Sequence, residues 1–160
     1  MGLTGKSLIS FFQEQVGLEK EAAKSINVSL KTVKNAVVIK VLKGVALDSL
    51  KHAELYLAAV DVASGFQEPL TDSELHRLRE NIRRHIENEN KMIERVDYAI
   101  ERAESGKVRF LLQSIKSDEE RHHELLERIL DTIVRGETVT ADEWWDFIWR
   151  DVPFHGTPGG

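Results

Sequence analysis

Ser114-Ile115-Lys116-Ser117-Asp118-Glu119-Glu120-Arg121-His122-His123-Glu124-Leu125-Leu126 is the stretch on which the fold of this chain turns. Around it Leu111, Leu112, Ile115, Leu125, Leu126, Ile129 and Ile133 recur at three- and four-residue steps, the period of a helix with one apolar face. In the middle of that stripe the apolar residues give way to Asp118, Glu119 and His122. Ionisable groups on an inward face are costly unless they are paired or bind a metal. Glu119 and His122 stand at i, i+3, neighbours one turn apart, so both can address one ion. The other reading is a solvated charge run with one paired core histidine, and the stretch alone does not separate the two. Glu120, His123 and Glu124 fall outward or sideways and are expected in solvent.

Working outward, four long helices are expected, over about 7–33, 36–63, 72–103 and 106–135. In the first, Leu8, Phe11, Phe12, Val16, Ala22, Ala23, Ile26, Leu30 and Val33 keep the helical period, and Glu19 lies on the same face. In the second, Val38, Val41, Leu42, Val45, Leu55, Tyr56, Ala59 and Val62 face in, with Asp48, Ser49 and His52 at the centre. In the third, Glu89 interrupts the stripe Leu75, Leu78, Ile82, Ile86, Met92, Ile93, Val96 and Ile100. His85, four residues before Glu89, reads as a boundary histidine, with a hydrogen-bond donor to Glu89 as the alternative. Thr71 or Asp72 is expected to cap the third helix, and Gly136 to end the fourth. Thr140-Ala141-Asp142-Glu143 reads as a capping box opening a short helix with Trp144, Trp145, Phe147, Ile148 and Trp149. The tail from Pro153 to Gly160 is expected to be disordered.

Slid by 70 residues, the first helical pair overlays the second. Glu19 meets Glu89, Leu42 meets Leu112, Asp48 meets Asp118, His52 meets His122 and Leu55 meets Leu125. The coincidence of the inward ionisable groups carries the most weight, because a merely solvated charge run would not place them so.

The order Glu, Ser-x-x-His, Glu, Glu-x-x-His over four successive helices resembles the ferritin-like superfamily, which includes ferritins, bacterioferritins and rubrerythrins. The resemblance covers roughly residues 5–135. It implies an all-α, ferritin-like four-helix bundle of two repeated hairpins over residues 1–135, followed by the short helix and tail of 136–160. It also implies a dinuclear iron or manganese site, with zinc also compatible with the donors. Residue by residue, Glu19 and Glu89 match the single glutamates, Glu119 and His122 one complete motif, and His52 the second histidine. Ser49 stands where the other glutamate belongs, and a hydroxyl is a poor ligand for a hard divalent cation. Asp48, one turn before His52, is the expected substitute, so the candidate metal ligands are Glu19, Asp48, His52, Glu89, Glu119 and His122.

Composition narrows the function further. The 160 residues are 41% hydrophobic and 31% charged, with net charge −5 and scattered basic residues, which does not favour nucleic acid as a partner. With no cysteine, thiolate metal sites and cysteine catalysis are excluded. The first ten residues lack the basic start and apolar run of a signal peptide, and no segment has the roughly 18 consecutive apolar residues of a membrane span. A cytoplasmic protein with no membrane partner is expected.

Topology raises a difficulty. Parallel second and third helices with level ligands would need a crossover of roughly 45 Å at about 1.5 Å per helical residue. The eight residues 64–71 span at most about 28 Å. The alternatives are an up-down-up-down order, a domain-swapped homodimer, or non-helical residues 71–76 that lengthen the crossover. Three functions remain: an iron- or manganese-dependent oxidase or peroxidase acting on oxygen or peroxide, a degenerate bundle with a structural or interaction role binding one metal or none, and iron storage in a many-subunit shell.

Overall fold

A computed structural model describes residues 5–65 and 69–134. The chain is all-α: α1 (Gly5–Ser29) with a 3-10 turn at Leu30–Thr32, α2 (Ala36–Ser64), α3 (Asp72–Arg102) and α4 (Gly106–Val134), with no strand among the described residues. Gly136, the expected Trp-rich helix after Thr140 and the tail from Pro153 lie outside the described residues. Two compact units divide the chain, Met1–Gln67 and Glu68–Gly160. The first contains α1 packed on α2, the second α3 packed on α4.

Local chemistry sets the helix ends. Asn35 Oδ1 accepts hydrogen bonds from the backbone N–H groups of Val37 and Val38 at 3.0 and 3.1 Å, satisfying donors that the first turn of α2 leaves open. Gly65 ends α2 in the left-handed region at φ 73°, where a residue without Cβ is favoured. Thr71 and Glu74 form a reciprocal capping box: the Thr71 N–H donates to Glu74 Oε2 at 2.8 Å and the Glu74 N–H to Thr71 Oγ1 at 3.4 Å. Helix α3 therefore begins at Asp72, which removes the idea that residues 71–76 extend the crossover.

Within the first unit, α1 presents Phe12, Val16, Glu19, Ala23, Ile26 and Leu30, and α2 presents Leu42, Ala46, Ser49, Ala53, Tyr56 and Val60, as the less exposed positions. Both sets alternate four- and three-residue steps, the 3.5-residue seam of two helices packed side by side. Ala46 and Ala53 are almost wholly buried, and their small side chains suit a close helix approach. Phe12 and Tyr56 pack with ring centroids 6.1 Å apart.

The second unit repeats this seam at an offset of 70 residues. Ile82, Ile86, Glu89, Ile93, Val96 and Ile100 of α3 occupy one side, and Leu112, Lys116, Glu119, His123, Leu126 and Leu130 of α4 the other. Lys116 Nζ donates to Asp97 Oδ1 across the pair at 2.6 Å. Beside each seam runs a second apolar row: Val38, Val41, Val45 and Leu55 on α2, and Val108, Leu111 and Ile115 on α4. All of these except Val108 were expected inward, and all are exposed. Val41, Val45, Leu55, Leu111 and Ile115 each precede a seam position by one residue, which rotates them about 100° around their helices.

Candidate metal centre

Glu89 organises the site. It sits on the α3 seam, is only 2% exposed, and its Oε2 makes no hydrogen bond. A buried carboxylate oxygen without a hydrogen bond calls for a compensating cation or a proton. One donor atom each from Glu89, Glu119 and His122 lie within 4.8 Å of one another, the one such group of three or more donors found among the described residues. Two histidines also reach Glu89. His85 Nε2 lies 3.3 Å from Oε1 and His123 Nδ1 lies 3.8 Å from Oε2. His85 is largely exposed, as a boundary histidine would be, and it also makes the contact of the alternative reading.

The site therefore offers two carboxylates with imidazole nitrogen and no sulfur. Such a set suits iron or manganese, accepts zinc, and does not select for copper(I) or iron–sulfur chemistry. The unpartnered buried oxygen and the donor chemistry together fit a divalent transition ion.

The first unit has a smaller set. Glu19 Oε1 lies 3.4 Å from His52 Nδ1, and neither side chain is deeply buried. Ser49 and Ala53 fill the seam positions that Glu119 and His123 fill in α4. Asp48 lies on the exposed side of α2 and its Oδ1 accepts from Lys51 Nζ at 2.7 Å. Of the six expected ligands, Glu89, Glu119 and His122 are thus gathered in one unit and Glu19 and His52 are paired in the other. Asp48 joins no group of three.

His123 departs from expectation. It was read as solvated, yet its side chain is only 19% exposed and its Nδ1 is buried without a hydrogen bond. Counting the seam from Leu112 by alternating four- and three-residue steps reaches Lys116, Glu119 and His123, whereas His122 falls on the exposed flank. A period of 3.5 counted from Leu112 falls between His122 and His123, so the sequence pattern does not pick out His123, and the packing of α4 on α3 does.

Comparison of the chain with protein-family models, curated proteins and solved structures finds no match.

Proposed function

We propose that this chain is a transition-metal-binding protein of ferritin-like architecture that holds iron or manganese on Glu89, Glu119 and His122. The observation that carries this reading is the buried, unpartnered carboxylate oxygen of Glu89 beside two further donors. Bound there, iron or manganese would supply redox chemistry toward oxygen or peroxide. The chain's own residues would neutralise the ion's charge with Glu89 and Glu119, present imidazole from His122, and limit water around Glu89 by burial.

A second reading has its own support. Ser49 replaces a carboxylate, and Asp48 is engaged by Lys51, so the first unit lacks a complete ligand set. That favours a degenerate ferritin-like protein with a structural role and one metal rather than two.

Thermal unfolding with and without Mn(II) tests the binding. Ligand that binds only the folded state adds about 2.7 kcal/mol at a hundred times its Kd. Wild type should gain stability with Mn(II). Glu89→Gln should be at least as stable as wild type without metal and should show no gain with it. Failure of Mn(II) and Fe(II) to stabilise wild type would contradict the proposal.

A further inference from the structure

His123 has the surroundings of a metal ligand rather than of a packing residue. Its Nε2 lies 3.2 Å from Glu127 Oε1, within hydrogen-bond distance. With the ring proton on Nε2 and donated to Glu127, Nδ1 carries the lone pair. That nitrogen is buried, makes no hydrogen bond and lies 3.8 Å from Glu89 Oε2, which also makes none. Two buried polar atoms that face each other, neither of them hydrogen-bonded, are an arrangement that a shared cation would satisfy. Metal-bound histidines characteristically donate their second ring N–H to a carboxylate, which fixes tautomer and ring orientation. Two donors on one ion with bonds of about 2.1 Å stand at most about 4.2 Å apart, so at 3.8 Å His123 Nδ1 and Glu89 Oε2 can reach one ion. His123 stands outside the group of donor atoms within 4.8 Å of one another, so sharing that ion with Glu119 and His122 takes a shift of its ring.

The repeat sharpens this. The position equivalent to His123 in the first unit is Ala53, the most buried seam residue, at 0% exposed. Packing at that position is thus satisfied by a methyl group, and the imidazole of the second unit needs another reason. His122, by contrast, lies on the exposed flank of α4.

We propose that His123 Nδ1 is a direct ligand of the ion held by Glu89, with Glu127 as the positioning residue that orients its ring. The inference rests on the metal reading given above and extends it by one ligand and one positioning residue.

The test is Mn(II) titration of the full chain and of His122→Gln, His123→Gln and Glu127→Gln, reading affinity and the nitrogen modulation of the Mn(II) pulsed EPR signal. Thermal melts without metal run alongside. Wild type should show two imidazole nitrogens and His123→Gln one, with at least a tenfold loss of affinity. Glu127→Gln, altered at a largely exposed side chain, should keep both nitrogens while binding about 10–100-fold more weakly, as loss of an outer partner does. A single nitrogen in wild type, lost in His122→Gln and kept with unchanged affinity in His123→Gln, would overturn the assignment of His123 while leaving the metal reading intact. If His123→Gln fails to fold, unchanged affinity in Glu127→Gln together with one nitrogen in wild type overturns it equally. No Mn(II) bound by wild type would bring down the metal reading and this inference with it.

Discussion

The two hairpins share one seam, position for position at a spacing of 70 residues, and differ at the residues that bear on chemistry. In α1–α2 the seam carries Glu19 opposite Ser49 and Ala53; in α3–α4 it carries Glu89 opposite Glu119 and His123. The first glutamate has one histidine within reach and remains partly exposed. The second is buried among Glu119 and three histidines. The same scaffold therefore tolerates either a small, close-packed pair of positions or a carboxylate–imidazole pair. Only the second combination leaves a buried carboxylate oxygen and a buried imidazole nitrogen without a hydrogen bond. The pairing geometry comes from the apolar rows, and the chemistry is added at two seam positions.

The largest effect should come from exchanging the two glutamates' roles. Glu89→Ala should lower Mn(II) affinity beyond the roughly 10–100-fold loss typical of outer partners, while Glu19→Ala should change it much less. Equal losses, measured by titration, would break the distinction between the hairpins. Next, Ser49→Glu should restore a carboxylate opposite Glu19 and raise the metal content of the purified protein. Without metal it should reduce stability by about 1–3 kcal/mol, the usual result of placing an unsatisfied polar group on a packed seam. Elemental analysis and denaturant unfolding check the two parts.

Ala53→Leu should reduce stability by about 1–3 kcal/mol through overpacking where the helices approach closely, with metal content unchanged. Thr71→Ala should remove about 1 kcal/mol by deleting the α3 cap. It should also flatten the acid limb of the stability curve. Hydrogen bonds from the Thr71 side chain and backbone hold the Glu74 carboxyl below the ordinary glutamate range. A depressed folded-state pKa contributes stability above the unfolded pKa, and that contribution is lost as pH falls through the folded one. Wild type should therefore lose stability below about pH 4.5, where Thr71→Ala loses less. The smallest effect belongs to Lys116, whose pKa is raised mainly by its hydrogen bond to Asp97. Its contribution is complete below the unfolded pKa and disappears as pH rises through the folded one, above about 10.5. Lys116→Met should lack that alkaline step in a pH series of melts.

The start of α3 was legible because its signal is local: Thr71 caps the helix with Glu74, three residues on. Glu89, Glu119 and His122 were legible because ionisable residues interrupt apolar rows. The buried role of His123 was not, because a helix with two adjacent apolar rows offers two ways to draw its inward face. Only the contact of α4 with α3 shows which row is the seam. Asp48 was drawn inward for the same reason and lies on the exposed side.

The most direct measurement of the central claim is metal content by elemental analysis, on protein purified without added metal or chelator. It is made on wild type beside the double variant Glu119→Ala, His122→Ala. At least one iron or manganese per chain in wild type, lost in the variant, is the predicted result. No metal in either, with the two proteins equally stable after iron loading, would contradict the metal centre and leave a purely structural pair of hairpins.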